Sequence, residues 1–285
     1  MNKNVLVTGS EGFIGSILVA RLKGEGYTVN NWDEKDGDIS ITPIDLQNID
    51  HVFHLAAQTF VPKSWDEPYS FYKSNTLGTV NVLEFCKTNK ISLTFISAYV
   101  YGAPNTLPIS ESHELKPANP YMHSKILAES VCKFYSDNFD VKVNIIRPFN
   151  IYGPGQSNRF LIPEIILQTL SNSEEIKVHD LIPKRDFVYI DDLLDAILLS
   201  MNSEGNFNVF NVGSGESYSV KEIIDLIQKI ANTNKAVVSN DNVRKNEIPD
   251  VIADISFAKE KLNWSPKFNL AEGLKKLVEY YKNLK

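Results

Sequence analysis

The sequence is poor in cysteine, in long apolar runs and in positive charge. Its two cysteines, Cys86 and Cys132, are too few for a disulfide framework and lack the spacing of metal ligands, so no metal site is expected. Both lie in helical patterns and are predicted to be buried free thiols. No apolar run approaches the roughly 20 residues of a membrane span, and the N-terminus does not resemble a signal peptide. These absences predict a cytoplasmic protein without a membrane partner.

The charge balance is negative, because 29 Lys and Arg face 35 Asp and Glu, for a net charge of −6. Such a surface repels phosphate backbones, so nucleic acid is not an expected partner. Apolar residues make up 43% and charged residues 22% of the chain, which excludes a disordered protein. At roughly 100–200 residues per domain, the 285 residues allow one large domain or two modest ones.

Short apolar runs alternate with helical patterns over the first half of the chain. The runs predict strands at 4–8, 27–33, 51–56, 92–97 and 142–147. Helices are predicted between them, notably over 15–24, 70–87 and 120–138. Strands that alternate with helices, and that are continuously apolar, indicate an α/β fold with a doubly wound parallel sheet covered on both faces.

After Arg147 the pattern loosens, beginning with Pro148 and the Gly153-Pro154-Gly155 turn. We place a change of domain near residue 150, with later segments returning to the first domain. Further elements are still readable beyond it: helices at 163–172, 191–201, 220–232 and 270–284, and strands at 176–178 and 207–212.

A glycine turn with G-x-x-G-x-x-G spacing, residues 9–15, separates the first strand from the first helix. Glycine allows a positive φ and a close approach to a phosphate, and the helix N-terminus adds unpaired N–H groups. Asp33 ends the second strand 18 residues after Gly15, close to the distance at which an acid binds the ribose of a dinucleotide. A carboxylate there favours NAD over NADP, although Lys35 could soften its repulsion of a 2′-phosphate. A plain tight turn and a solvated aspartate are the alternatives.

Tyr121 and Lys125 lie four residues apart after Asn119-Pro120, an N-cap followed by a proline at the first helical position. They therefore share one helix face, where an ammonium can stabilise a phenolate. Ser97 ends a predicted strand, at the sheet edge where ligands of α/β proteins collect. Taken singly, neither pattern is specific. A Tyr–Lys pair on the protein surface would have the same spacing as Tyr121 and Lys125, and a serine that caps a turn would have the same position as Ser97.

Together these motifs give the chain a resemblance to the extended short-chain dehydrogenases/reductases, in the group of nucleotide-sugar epimerases, dehydratases and reductases that includes UDP-glucose 4-epimerase. The matching stretches span nearly the whole chain. They are residues 8–15, 38–39, 54–58, 75–79, 97–102, 121–125, 147–155, 185–192, 211–215 and 262–266.

The resemblance implies a Rossmann-type NAD-binding domain over 1–150 and a smaller α/β domain over 151–285 that mainly binds a nucleotide-diphosphate sugar. Segments near 185–213 would return to the first domain. It also implies a homodimer, formed by the helices at 70–87 and 120–138. Two departures stand out. Only 12 residues separate Asp33 from Asp45, and residues 179–184 replace the usual glycine turn before Arg185.

Roles for individual residues follow from the same resemblance. Catalytic roles fall on Ser97, Tyr121 and Lys125. Cofactor contacts fall on Gly9, Gly12, Phe13, Ile14, Gly15, Asp33, Asp38, Ile39, Leu55, Ala56, Ala57, Gln58, Asn75, Tyr121 and Lys125. Substrate contacts fall on Ser97, Asn150, Arg185 and Arg244.

The function that these assignments imply is an NAD-dependent epimerase that acts at C4 of a nucleotide-diphosphate sugar through a 4-keto form. A ketoreductase of a deoxysugar nucleotide that uses NADH or NADPH is the alternative. A dinucleotide-binding regulator without catalysis is the remote one. In the related 4,6-dehydratases acids follow the catalytic hydroxyl residue, whereas here Ala98 and Tyr99 follow Ser97, so no dehydration is expected.

Overall fold

Eleven strands form three sheets in the computed structural model, which describes residues 3–240 and 248–284. In chain order the strands are β1 (Asn4–Thr8), β2 (Thr28–Trp32), β3 (His51–His54), β4 (Ser92–Ile96), β5 (Val143–Pro148), β6 (Asn150–Tyr152), β7 (Glu175–Val178), β8 (Lys184–Tyr189), β9 (Phe207–Val212), β10 (Ser217–Ser219) and β11 (Ala236–Ser239).

The central sheet has six parallel strands in the order β2-β1-β3-β4-β5-β9. The chain runs outward from β1 to β2 and then crosses back to β3, so the strand order reverses between β1 and β3. In open α/β sheets ligands bind outside the carboxyl ends of the strands at such a reversal. The predicted parallel, doubly wound sheet is therefore confirmed, and the glycine turn after β1 lies at this reversal.

Ten α-helices connect and cover the sheets in the described part of the chain. They are α1 (Phe13–Gly24), α2 (Val61–Asp66), α3 (Pro68–Phe71), α4 (Gly78–Asn89), α5 (Pro120–Phe139), α6 (Leu161–Leu170), α7 (Ile190–Ser200), α8 (Val220–Ala231), α9 (Ser256–Leu262) and α10 (Leu270–Asn283). Most predicted helices are found within a few residues of these bounds. The single helix predicted over 70–87 is wrong in one respect, because a π-helical turn, Tyr72–Leu77, interrupts it.

The two faces of the central sheet bury two separate apolar clusters. Within β1, Val5 and Val7 belong to the cluster that includes α1 and α7, whereas Leu6 points into the cluster beneath α4 and α5. Both faces are thus covered, which explains why β1 carries apolar residues on both of its faces rather than on alternate positions only. Cys86 and Cys132 lie in the second cluster as buried free thiols, as predicted.

The later part of the chain adds two small sheets beside the central one. Strand β8 pairs in parallel with β6 and antiparallel with β10, and β7 pairs in parallel with β11. Asp186 of β8 ties this region together, because its buried carboxylate accepts hydrogen bonds from the backbone N–H groups of Ser214, Gly215 and Ala253. Strand β9 returns to the central sheet beside β5. The division into domains at residue 150 stays a prediction.

Residues 37–50 form neither a strand nor a helix, so β2 is the edge strand of the central sheet. This is the short connection noted in the sequence between Asp33 and Asp45. Within the described ranges, no helix is long and apolar enough to cross a bilayer. No cluster of three His, Cys, Asp or Glu side chains suited to a metal ion is found among these same residues.

Candidate active site

The glycine turn is built so tightly that a side chain is excluded at Gly9 and at Gly15. Gly9 has a φ of +71°, and a Cβ there would lie 2.7 Å from the Ala56 nitrogen. A Cβ on Gly15 would overlap the Gly9 carbonyl oxygen. Gly12 is the N-cap of α1 and offers no capping side chain, and the first turn of the helix carries no acid. The N–H groups of this turn can therefore face an anion, which fits the pyrophosphate of a dinucleotide.

Phe13 and Ile14 begin α1 and pack their side chains against the apolar cluster of that face. Their side chains therefore anchor the helix, and their backbone N–H groups lie in its first turn. Their predicted contact with the cofactor stays a prediction.

Asp33 follows β2 and lies beside the glycine turn. Its carboxylate accepts hydrogen bonds from the Ser10 hydroxyl and, at 3.0 Å, from the Glu11 N–H. Lys35 forms an ion pair with Glu11 rather than with Asp33. The carboxylate is thus held at the edge of the glycine turn, and its predicted contact with the ribose stays a prediction.

Asp38 and Ile39 lie in the short connection after β2. The Asp38 carboxylate accepts hydrogen bonds from Lys73, at 2.6 Å, and from Ser40, which lower its pKa to about 2. Ile39 is buried against Gly78 at the start of α4. The connection is therefore fastened to the π-helical turn and to α4, and the predicted adenine contacts remain a prediction.

Leu55, Ala56, Ala57 and Gln58 continue from the end of β3 along the site. The side chain of Asn75 braces this segment: it accepts from the Gln58 N–H at 2.8 Å and donates to the Gln58 carbonyl at 3.0 Å. Its second N–H donates to the Ser124 hydroxyl at 2.9 Å. Both amide N–H groups of Asn75 are thus used within the protein, so it supports the segment from the π-helical turn.

Lys125 is almost wholly buried on α5 and reaches the end of β4. Its ammonium donates to the Ile96 carbonyl at 2.6 Å and lies 4.3 Å from the centre of the Phe95 ring. Burial lowers its pKa to about 8, an effect that the charge of Glu129 opposes. The ammonium thus bonds to the residue directly before Ser97.

Tyr121 lies one turn earlier on the same helix, close to its start. Asn119 caps α5 by accepting the Met122 N–H at 2.8 Å, as the sequence predicts. The Tyr121 ring packs edge-on against Phe71, and desolvation raises the pKa of its phenol to about 12. In the protein without ligand the phenol is therefore protonated at neutral pH.

Ser97 is buried at the carboxyl end of β4, and its hydroxyl donates to a Glu129 carboxylate oxygen at 2.5 Å. Glu129 in turn forms an ion pair with Arg147 of β5. Sequence reasoning missed Glu129, although a signal was available: it lies four residues after Lys125 and eight after Tyr121, on the same helix face.

The predicted substrate residues lie across the later part of the chain. Asn150 starts β6 and donates to the Asp186 carbonyl at 3.1 Å. Arg185 lies on β8, where its guanidinium donates to the Ile248 carbonyl at 2.6 Å. Arg244 lies outside the described residues. No structural fact tests the roles assigned to these three side chains.

The fold and site define a class of protein: a dinucleotide-binding enzyme with a Ser-Tyr-Lys set at the carboxyl edge of a Rossmann-type sheet. Residues 5–213 match the model of the NAD dependent epimerase/dehydratase family, and the chain belongs to that family. The predicted family, the Rossmann-type fold and the NAD-dependent enzyme class are thereby confirmed.

Individual relatives show how far the similarity extends. The chain is 33% identical to a putative UDP-glucose 4-epimerase of Methanocaldococcus jannaschii, covering 98% of each chain. It is 30% identical to the GDP-6-deoxy-D-mannose reductase of Pseudomonas aeruginosa, covering 98% of this chain and 97% of the other. The solved UDP-glucose 4-epimerase of Thermotoga maritima, with UDP-glucose, superposes with a TM-score of 0.89 at 31% identity, covering 99% and 100% of the two chains. Other similar solved structures contain NAD, and one from Pseudomonas aeruginosa contains NADPH.

Proposed function

We propose that the protein is an NAD-dependent 4-epimerase of a nucleotide-diphosphate hexose. The observation that carries the proposal is the arrangement of Ser97, Tyr121 and Lys125 at one end of β4 and α5, beside the strand reversal that holds the glycine turn. Relatives named as UDP-glucose 4-epimerases support the same reaction.

In this reaction Tyr121 exchanges a proton with the 4-hydroxyl of the sugar. Its phenol, with a pKa of about 12 in the protein alone, becomes a base only where positive charge lies near it. The buried ammonium of Lys125 supplies part of that charge. When bound, NAD would supply the positive charge of its oxidised ring and a hydride acceptor and donor for carbon 4 of the sugar, the chemistry that a 4-keto form requires.

Ser97 orients the sugar hydroxyl against Tyr121, since a hydroxyl at a strand end can hold a substrate alcohol. Asn150, Arg185 and Arg244 are proposed to hold the rest of the substrate. The two arginines suit the diphosphate, because a guanidinium fork binds phosphate oxygens in pairs.

Asp33 supports NAD rather than NADP within this proposal. Its carboxylate accepts hydrogen bonds from Ser10 and Glu11, and it would repel a 2′-phosphate. Lys35 is drawn towards Glu11 by their ion pair, which weakens its power to offset that repulsion.

A homodimer through α4 and α5 is proposed as the working form. Leu77, Leu127 and Phe134 are exposed on or next to these two helices, with Phe134 at 57% exposure. Light scattering coupled to size-exclusion chromatography measures the mass in solution: twice the chain mass of 32.1 kDa supports the dimer, and a single chain mass contradicts it. The cytoplasmic location likewise stays a proposal.

A panel of sugar nucleotides tests the function. The protein is loaded with NAD and incubated with UDP-glucose, UDP-N-acetylglucosamine and UDP-glucuronic acid, and products are followed by mass spectrometry and proton NMR. We expect one of them to yield its C4 epimer at unchanged mass without added reductant. The matched control is the Tyr121→Phe variant, which retains the fold and lacks only the phenolic oxygen. Conversion by this variant at the wild-type rate would contradict the proposal.

The second candidate function is a 4-ketoreductase of a deoxysugar nucleotide, favoured by the similarity to the GDP-6-deoxy-D-mannose reductase. It predicts net oxidation of NADH or NADPH with a 4-keto-6-deoxy sugar nucleotide and no epimerisation without reductant. The same panel with each reduced cofactor, followed by nicotinamide absorbance, separates the two. If NAD binds but no sugar nucleotide is turned over under any of these conditions, a dinucleotide-binding regulator without catalysis is favoured instead.

A further inference from the structure

A buried chain of hydrogen bonds runs from Ser97 away from the site. The Ser97 hydroxyl donates to Glu129, Glu129 pairs with Arg147, and Arg147 donates to the Tyr101 hydroxyl at 2.8 Å. Tyr101 then donates to the Asn211 side chain at 2.5 Å. All five side chains are buried in the protein, and Glu129 and Arg147 are each only 6% exposed. No role in the proposed reaction has yet been given to Glu129.

Glu129 is held in one position by two elements. The guanidinium of Arg147, on β5, donates through Nε at 3.0 Å and through Nη2 at 2.5 Å to the two carboxylate oxygens. This fork neutralises the carboxylate and leaves little freedom to its side chain. The Ser97 hydroxyl therefore donates to a carboxylate whose position is fixed by Arg147.

The direction of the Ser97 bond has a chemical consequence. A serine hydroxyl has one hydrogen to donate and lone pairs to accept with. Since an ionised carboxylate can only accept, the hydrogen of Ser97 is committed to Glu129. This bond holds Oγ in one place and leaves its lone pairs available to the substrate.

Two successive turns of α5 thus fasten two successive residues at the end of β4. Lys125 donates to the Ile96 carbonyl, and Glu129 accepts from the Ser97 hydroxyl. The helix that carries Tyr121 thereby also fixes the main chain at Ile96 and the side chain of Ser97, which is proposed to work with Tyr121.

We propose that Glu129 is a positioning residue, which holds the Ser97 hydroxyl in place for its contact with the substrate. The inference rests on the proposed function, because it requires Ser97 to contact the substrate. It assigns Glu129 no contact with substrate and no transfer of a proton. The competing explanation is that the Glu129–Arg147 pair stabilises the fold and nothing more.

A double-mutant cycle distinguishes these explanations. The variants are Ser97→Ala, Glu129→Gln and the two together, assayed as NAD-loaded enzyme with UDP-glucose or whichever sugar of the panel the wild type converts. We expect Glu129→Gln to lower kcat on the order of 10- to 100-fold, the loss of one charge-assisted hydrogen bond, with KM nearly unchanged. In the Ser97→Ala background the same change should have no further effect on kcat.

Two further measurements keep the test independent of stability. Removing one partner of a buried ion pair can unfold a protein, so a Glu129→Gln/Arg147→Gln variant, in which neither charge remains, is made alongside. Thermal unfolding and calorimetric titration with NAD report whether each variant folds and binds the cofactor. Glu84→Gln on α4 is the matched control. Like Glu129, the Glu84 carboxylate accepts a hydrogen bond from a hydroxyl group, that of Tyr135, and forms an ion pair, with Lys87.

Each outcome decides the proposal. A kcat loss that vanishes in the Ser97→Ala background, in variants that fold and bind NAD, supports it. Equal losses in both backgrounds, or a loss that follows only the unfolding temperature, would overturn it. Unchanged turnover in Ser97→Ala would also overturn it. Failure of the proposed function is seen separately, as full activity in Tyr121→Phe.

Discussion

At the glycine turn the protein exposes main-chain N–H groups, whereas around Ser97 it holds buried side chains that carry charge. The first region excludes every side chain at Gly9 and Gly15 and offers the N–H groups of α1. The second buries Lys125, Glu129 and Arg147 within the sheet–helix contact. The difference indicates that the proposed cofactor binding depends on shape and backbone conformation, whereas the proposed catalysis depends on where protons and charges lie.

The sharpest way to separate the two regions is to remove the Tyr121 hydroxyl. Tyr121→Phe keeps the ring that packs against Phe71 and takes away the proton-exchanging oxygen. We expect kcat to fall about 10²–10⁴-fold, the usual contribution of a general acid or base, while calorimetry shows nearly unchanged NAD affinity. A parallel loss of NAD affinity would show that the Tyr121 hydroxyl contributes to cofactor binding as well as to turnover, which contradicts the comparison.

Buried charge makes the catalytic region sensitive to pH, and Lys125→Met measures this. Burial lowers the pKa of Lys125 from 10.5 to about 8. Between these two values the unfolded chain holds a proton that the folded chain lacks, so the free energy of unfolding rises with pH over that window. Relative to Lys125→Met, the wild type should therefore gain stability from pH 8 to 10.5, by up to about 3 kcal/mol.

Urea unfolding of both proteins at several pH values gives this difference. Below pH 8 lysine is protonated in both states, so the difference should be constant there. A wild type that loses stability relative to Lys125→Met as the pH rises through the window would show that the lysine is not buried as described.

In the glycine turn shape alone should matter. Gly15→Ala puts a methyl group against the Gly9 carbonyl oxygen, and we expect a loss of about 1–3 kcal/mol in the free energy of unfolding and weaker NAD binding. Gly24→Ala is the control in the same helix, because nothing lies within 4 Å of the added Cβ. It should stabilise the protein by roughly 0.5 kcal/mol. Equal effects of the two substitutions would refute the claim of a close-packed turn.

Asp33 is the one charged side chain proposed to bind the cofactor at the turn, and its removal should have the smallest effect. Asp33→Asn is expected to weaken NAD about tenfold, the loss of one charge-assisted hydrogen bond, and to leave NADP binding equal or tighter. Glu34→Gln changes the same charge one residue away and should alter neither affinity. Tighter binding of NADP than of NAD by the wild type would favour the 4-ketoreductase over the 4-epimerase.

Sequence patterns predicted the elements with a regular apolar pattern and the residues that belong to a motif. The five strands of the first half and β9 were found because they are short runs rich in apolar residues, and Ser97, Tyr121 and Lys125 because their spacing matches a known family. Strands β6 and β10 have three residues each, too few for a periodic pattern. Strand β8 begins with charged residues, so it reads as a loop.

Sequence patterns could not predict side-chain contacts between distant parts of the chain. The π-helical turn at Tyr72–Leu77 contains the Asn75 side chain that braces Gln58, and no helical periodicity reveals such a partner. Glu129 reads as an ordinary helix residue until Arg147 is placed beside it by the pairing of β4 with β5. A buried ion pair can be assigned only when both elements are in place.

Conversion of a hexose nucleotide labelled with deuterium at carbon 4 tests the central claim most directly. The NAD-loaded enzyme is incubated with UDP-[4-²H]glucose, or with the equally labelled sugar of the panel that it accepts, in ordinary water without added reductant. The proposed reaction takes and returns the same hydrogen, so the product should be the C4 epimer with unchanged mass and the deuterium retained at carbon 4. A product lighter by one water, an epimer whose deuterium has been lost to solvent, or conversion only when reduced cofactor is supplied would contradict a 4-epimerase.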